Sequence, residues 1–436
     1  MDIVMSLVGV VTLLLIGFAL SNNKKAINKR TVLGALAIQA AFGGFVLYVP
    51  VGQEVLGGVS MGVANVIGYS QAGIDFLFGG LGTDAMFSNG VGFVFAIRVL
   101  PVIIFFSSLI AVLYYLGIMQ LVIKFIGGGL QKALGTSRTE SMAATANIFV
   151  GQTEAPLVVR PFIATMTNSE LFAIMVGGLA SIAGAVLAGY AGMGVKIEYL
   201  VAASFMAAPG GLLMAKLIHP ETEETKNEMD DLPEDTDKPA NVIDAAAAGA
   251  ASGMHLALNV GAMLLAFVGL IAMLNGMLGG LGGLVGFENL TLELILGYLF
   301  MPLAFLIGVP WNEAMVAGSF IGQKIIVNEF VAYLNFAPYL NDAAIACTSV
   351  ASEVAKGLPL CVEGTQAAMT ARTQAIISFA LCGFANLSSI AILLGGLGAM
   401  APSRRHDLAK LGVRAVIAAS LANLMSATIA GLFLAI

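Results

Sequence analysis

Gly151-Gln152-Thr153-Glu154-Ala155-Pro156 sets an amide, a hydroxyl and a carboxylate side by side between a glycine and a proline, inside an apolar stretch over about 141–165. A second apolar stretch, about 292–331, is interrupted in the same way by Gly308-Val309-Pro310-Trp311-Asn312-Glu313 and carries Glu329 near its end. Glu154, Glu313 and Glu329 are therefore carboxylates in apolar surroundings, where an ionised acid costs about 3 kcal/mol and is a functional candidate by default. Glu154 carries that reading furthest, because Gln152 and Thr153 stand beside it at a proline-terminated break. Glu313 fits a helix cap equally well.

Each break is followed by another apolar segment with a polar interruption. The first is Gly178-Leu179-Ala180-Ser181-Ile182-Ala183-Gly184, and the second is Gly383-Phe384-Ala385-Asn386-Leu387-Ser388-Ser389. Taken singly, such serines and asparagines are more often hydrogen-bond partners between helices than ligands. Paired with broken segments in both halves of the chain, they point to a binding site. Carboxylates accept hydrogen bonds from hydroxyls, and amides such as Gln152 and Asn386 donate and accept, which suits a neutral polar ligand. No cluster of Arg or Lys lies at the breaks, which argues against a phosphorylated or carboxylate substrate. A sodium ion would need oxygen ligands from Asn and Ser side chains and from carbonyls freed by unwound backbone.

The elements that must position these groups are membrane helices. Apolar residues make up 58% of the chain and charged residues 11%, against about a quarter charged in soluble proteins. The solvent for such a surface is a lipid bilayer. No strongly basic face exists, which excludes nucleic acid as a partner. Cys347, Cys361 and Cys382 lack the close paired spacing of zinc or redox sites. The chain has no metalloprotease helix motif, nucleophile elbow or phosphate loop, so neither an enzyme nor an ATP-driven pump is expected. No cofactor is implied.

Spans are readable at 3–20, 31–50, 92–123, 171–192, 197–218, 246–278, 376–397 and 412–435. Lys24, Lys25, Lys29 and Arg30 follow the first span and mark a cytoplasmic loop, so the N-terminus faces outward. Eight crossings return the C-terminus to the same side. Lys132, Arg138, Arg404, Arg405, Lys410 and Arg414 then all fall inside, in agreement with that count. Residues 51–70 are too interrupted by Gly and Ser to span and read as an amphipathic helix in the outer interface. Residues 221–237 read as an acidic cytoplasmic linker.

The arms on either side of the two breaks, roughly a dozen residues each, are too short for a hydrocarbon core about 30 Å thick. Each fits a hairpin that enters, breaks and returns, with its irregular backbone covered by protein or facing a water-filled cavity. One entering from inside and the other from outside form an inverted repeat, the arrangement that places substrate and ion at the midplane of a secondary transporter.

At these residues the chain resembles the concentrative nucleoside transporter family over nearly its whole length. The resemblance rests, in order, on Gly127-Gly128-Gly129-Leu130-Gln131-Lys132-Ala133-Leu134-Gly135, Asn147-Ile148-Phe149-Val150 running into the first break, Val309-Pro310-Trp311-Asn312-Glu313, Asn328-Glu329-Phe330 and Cys382 through Ser389. It implies an all-α polytopic membrane protein with eight transmembrane helices and two re-entrant hairpins in an inverted repeat, working as an elevator-type transporter and assembling as a homotrimer. The resemblance places base contacts on Gln152, Thr153 and Glu154, with Val186 packing nearby. It places the ribose on Glu329, Asn386 and Ser389, with Phe384 against the sugar or base edge. Sodium is implied at the side chains of Asn147 and Ser181 and the carbonyls of Val150 and Ile182.

The corresponding division of the chain is a scaffold over 1–138 with an interfacial helix, a first transport half over 139–218, the linker over 219–245, a scaffold helix over 246–283 and a second transport half over 284–436. The expected activity is sodium:nucleoside symport, importing nucleosides such as uridine across the inner membrane, with both termini outside. A proton-coupled nucleoside symporter is the alternative, since a buried Glu can carry a proton; Asn147 together with Ser181 favours sodium. The stretch 340–372 departs from the family's shorter members and has no role in this reading.

Overall fold

Ser137 and Thr167 each open a helix through a capping box, with Glu140 and Glu170 three residues on returning a hydrogen bond to the cap. These start signals lie in short polar stretches, 136–141 and 165–170, on either side of the first broken segment, and they set where the helices after them begin. The computed structural model describes residues 2–83, 94–225, 239–284, 286, 289–340, 345–346, 366–367 and 369–436. Apart from a two-residue antiparallel pairing of Ile345–Ala346 with Gln366–Ala367, the regular structure among the described residues is helical.

Among the described residues, seven helices are long and apolar enough to cross a bilayer: Asp2–Ala19, Lys29–Leu47, Phe95–Tyr115, Asn168–Gly192, Ile197–Ile218, Val242–Leu284 and Pro402–Phe433. The crossing expected over 376–397 consists of two half-helices, Ala371–Leu381 and Ser389–Met400, joined by unwound backbone. Asn168–Gly192 is built the same way, from Asn168–Ala180 and Gly184–Gly192, with Ser181 extended between them. The segment expected to lie in the interface is one continuous helix, Pro50–Phe78. The span expected over 92–123 stops earlier: Gly117 takes a left-handed conformation at φ 78° and starts a separate helix, Ile118–Leu134. Most of the linker (226–238) and of the stretch 340–372, with Cys347 and Cys361, lies outside the described residues.

One order of elements occurs twice. Ile118–Leu134 leads to the short helix Arg138–Ala146, a break, the 3-10 helix Ala155–Phe162, the broken helix Asn168–Gly192 and the straight Ile197–Ile218. Leu292–Leu306 leads to Trp311–Ile326, a break, Glu329–Phe336, the two half-helices over 371–400 and the straight Arg405–Phe433. The single long helix Val242–Leu284 separates the two units. Arg138–Ala146 has nine residues and reaches about 14 Å, roughly half of the hydrocarbon thickness.

The helices carrying the breaks form the core. Ile197–Ile218 and the two parts of Asn168–Gly192 are buried along nearly their whole length, whereas Asp2–Ala19 and Val242–Leu284 bury a single stripe and expose apolar side chains such as Leu265 and Leu284. Val242–Leu284 packs on Leu100–Tyr115 through Gly249 and Gly253, the small-residue spacing that lets membrane helices meet at backbone distance. A Cβ on Gly249 would lie 2.7 Å from the Ser107 carbonyl oxygen and 2.8 Å from Ser108 Cα. Gly249→Val is therefore expected to push backbone from backbone and cost about 2 kcal/mol or more, read as a lowered melting temperature of the detergent-purified protein. An unchanged melting temperature would mean that this contact contributes no stability.

Candidate functional site

The first hairpin breaks because Arg138–Ala146 ends at Asn147 and the chain cannot resume a helix until Ala155-Pro156. In this break the Asn147 amide donates through Nδ2 to the Ala143 carbonyl at 3.0 Å. Its Oδ1 is buried and has no hydrogen-bond partner among the described residues. Gln152 is also buried; its Nε2 lies 3.5 Å from Ser389 Oγ and its Oε1 is unpartnered. A buried acceptor left unpaired costs about 1–3 kcal/mol, so these two oxygens mark places where a ligand repays that cost.

Glycine lets the break lie against the first broken helix. A Cβ on Gly178 would stand 3.0 Å from Gln152 Cβ and 3.7 Å from Asn147 Oδ1. Ser181 follows at the unwound joint, with Oγ 3.5 Å from the Gly178 carbonyl. The Phe149 carbonyl accepts from Gly184 N at 3.0 Å, and the Ser181 carbonyl accepts from Phe384 N at 3.2 Å. The neighbouring carbonyls of Val150 and Ile182 are left without a backbone partner among the described residues. Asn147 Oδ1, Ser181 Oγ and these two carbonyls are four neutral oxygens at two adjacent joints, a donor set that suits a hard monovalent cation.

The second half contributes the acid. Glu329 opens the helix Glu329–Phe336 just after a break at Val327–Asn328, and Asn328 Oδ1 caps that helix from Val331 N at 2.9 Å. The Glu329 carboxylate is 3% exposed; Oε1 accepts from the Tyr190 hydroxyl at 3.1 Å and Oε2 from Asn386 Nδ2 at 2.9 Å. Asn386 Oδ1 in turn accepts from Ser388 Oγ at 2.7 Å and Ser389 N at 2.9 Å, fixing the amide's orientation. Each carboxylate oxygen keeps a free lone pair, so Glu329 accepts further hydrogen bonds from hydroxyl groups.

The remaining expected residues surround this centre. Val186 is fully buried four residues before Tyr190 on Gly184–Gly192, hence on the same face of that helix. Phe384 is partly buried at the second joint. Thr153 packs on the half-helix Ser389–Met400, where a Cβ on Gly396 would lie 2.9 Å from its Cγ2. Glu154 is exposed and folds its carboxylate back over Gly151.

Glu313 lies apart from this centre. The turn over 308–313 forms where expected, between Leu292–Leu306 and Trp311–Ile326, which are bent by 116°. There the Glu313 carboxylate accepts from Thr370 N and from Thr370 Oγ1 at 3.0 Å, capping the half-helix Ala371–Leu381. Arg372 pins the same turn by donating to the Gly308 carbonyl at 2.7 Å. The break that delivers the acid to the site is Val327–Asn328, one whole helix, Trp311–Ile326, later than the glycine and proline suggest.

Tyr190, Lys324 and Asn423 belong to this region and escaped the reading of motifs. Lys324 alone left a signal in the sequence, as a cation inside an apolar arm. The contacts of Tyr190 and Asn423 come from helices distant in the chain.

Residues 8–81 match the family model described as Na+ dependent nucleoside transporter N-terminus, 96–196 that described as nucleoside recognition, and 199–431 that described as Na+ dependent nucleoside transporter C-terminus. The chain is 52% identical to nucleoside permease NupC of Helicobacter pylori over 98% of its length and 97% of the relative's. It is 38% identical to sodium/nucleoside cotransporter 1 of Mus musculus over 98% of its length and 63% of the relative's. CNTnw, solved in an inward-facing substrate-bound state, superposes with a TM-score of 0.91 at 59% identity, covering 100% of this chain and 98% of the other. A CNTnw variant solved in an outward-facing state also superposes with a TM-score of 0.91.

Proposed function

We propose that this chain, which belongs to the family of Na+ dependent nucleoside transporters, is a sodium:nucleoside symporter that imports nucleosides such as uridine across the inner membrane. It is a multi-pass membrane protein and a nucleoside transporter, not an enzyme. The observation that carries the coupling ion is the buried, unpartnered Oδ1 of Asn147 beside the Ser181 joint. Sodium held by Asn147, Ser181 and the Val150 and Ile182 carbonyls satisfies that oxygen and neutralises charge next to the buried Glu329.

In this reading the ribose hydroxyls donate to Glu329 and meet Asn386 and Ser389, while Phe384 covers the sugar or base edge. The base meets Gln152, whose free Oε1 accepts a donor, together with Thr153 and Glu154, and packs on Val186. Ion and nucleoside therefore share walls. Sodium draws Asn147 and Ser181 into place, and those residues back Gln152 across Gly178. Coupling follows because the nucleoside site is complete once the ion has set the two joints.

The two transport halves, over 139–218 and 284–436, would move together as the transport domain, against a homotrimeric scaffold built from the first three crossings and Val242–Leu284. The existence of inward- and outward-facing forms of CNTnw supports such a movement. Both termini lie outside in this arrangement.

The test is uptake of radiolabelled uridine by proteoliposomes under an imposed inward sodium gradient or an imposed proton gradient. Accumulation with sodium alone is expected. Accumulation with protons alone would keep the nucleoside and cancel the sodium site, and accumulation with neither would cancel the substrate. The proton reading draws its support from Glu329, a buried acid that can carry a proton.

A further inference from the structure

Lys324 sits in the last turn of the apolar arm Trp311–Ile326, is 2% exposed, and has no part in the sodium and nucleoside contacts described above. Its ammonium donates to the Ala380 carbonyl at 2.8 Å and to Asn423 Oδ1 at 2.6 Å. Asn423, from the helix Arg405–Phe433, donates through Nδ2 to the carbonyls of Ala180 at 2.6 Å and Cys382 at 3.0 Å. Ala180 is the last residue of Asn168–Ala180, and Ala380 and Cys382 flank the end of Ala371–Leu381. Two half-helices thus end against one lysine–asparagine pair.

A helix C-terminus carries about half a negative charge on its unpaired carbonyls. Two ends brought together in an apolar core repel each other and leave carbonyls that no water reaches. The ammonium offsets the charge, and the asparagine amide supplies the missing donors. Directly beyond these ends come Ser181 and Ile182 on one side and Phe384, Asn386 and Ser389 on the other, tied across by the Phe384 N to Ser181 carbonyl bond.

We propose that Lys324 is a positioning residue for both binding sites, a tethered cation that holds the two half-helix ends through the Ala380 carbonyl and Asn423 and so sets the joints that bind ion and nucleoside. This rests on the reading of those joints as the sodium and nucleoside sites. The sign of the effect separates positioning from plain electrostatics. A fixed cation near bound sodium repels it, so by Coulomb's law alone removing the charge would tighten sodium binding. Positioning requires the reverse.

The experiment uses the full chain in proteoliposomes, with Lys324→Met, which keeps the length and loses the charge, and Asn423→Ser, which keeps the charge and removes the relay. Sodium concentration for half-maximal uridine uptake, uridine KM and the lithium-to-sodium activity ratio are measured for each. Both variants are expected to raise the sodium requirement and the uridine KM together, each by roughly 10-fold or more, as loss of an outer-shell partner does at ion sites, and to alter the lithium-to-sodium ratio. Wild-type values in either inserted variant, or a lowered sodium requirement in Lys324→Met, would overturn the assignment. If Lys324→Met fails to insert, Asn423→Ser decides alone. A wild type that shows no sodium dependence overturns this proposal together with the sodium reading, whereas a sodium-dependent wild type with unshifted variants overturns the role of Lys324 alone.

Discussion

Glu329→Gln is expected to lower uridine uptake roughly 100-fold while the protein still inserts, a loss of about 3 kcal/mol that matches removal of charge-assisted hydrogen bonds to two ribose hydroxyls. The geometry makes the amide a poor replacement. Both Glu329 oxygens already accept, from the Tyr190 hydroxyl and from Asn386 Nδ2. A glutamine NH2 turned toward Asn386 Nδ2 sets donor against donor, and one turned toward the Tyr190 or ribose hydroxyls replaces a charge-assisted bond with a neutral one that the hydroxyl must turn to accept. Folding should survive, because the substitution removes a buried charge and keeps the volume. The check is initial-rate uptake normalised to inserted protein, with 2′-deoxyuridine and 3′-deoxyuridine as partners. Wild-type uptake in the variant would remove the ribose assignment. Loss confined to one deoxynucleoside comparison would show which hydroxyl Glu329 meets.

The second large effect is expected at the ion. Asn147→Ala together with Ser181→Ala should raise the sodium concentration for half-maximal transport by about 100-fold, since two of four proposed oxygen ligands are lost and the remaining carbonyls are weakly held. The maximal rate at saturating sodium should change less than the sodium requirement. Asn147 Nδ2 also bonds the Ala143 carbonyl, so Asn147→Asp provides a control that keeps an oxygen in place; it should retain sodium dependence better than the double variant. A sodium dependence that the double variant leaves unchanged would mean that the ion lies elsewhere.

Much of this was legible in the chain. The first break was readable because Gly151 and Pro156 bracket polar residues in a stretch too short to span, and the structure unwinds there. The polar interruptions at Ser181 and at Asn386 likewise fall on the unwound joints of two broken helices. The second hairpin was readable only in part. Its glycine and proline at 308–310 make the turn that the sequence predicts, yet Glu313 there caps a half-helix, and the acid of the site arrives at Val327–Asn328. That break has neither glycine nor proline; Asn328 makes it by capping the next helix through Oδ1, a signal that a polar residue in apolar sequence carries weakly. The end of the third span at Gly117 was hidden for a related reason, since hydropathy runs on through Ile118–Leu134 while one left-handed glycine turns the chain.

Composition and spacing by themselves determined that the chain lives in lipid, that two short broken segments recur in its two halves, and that the groups beside them suit a neutral polar ligand and a small cation. These are local properties, set by transfer energies and by what glycine, proline and short arms allow. Only the tertiary structure decided which polar groups meet. Tyr190 and Asn386 reach Glu329, and Lys324 with Asn423 gathers the ends of two half-helices, all across long separations in sequence. In a bilayer a buried polar group must find its partner within the protein, and which partner it finds depends on how the two repeated units pack against each other, a relation that no window along the chain contains.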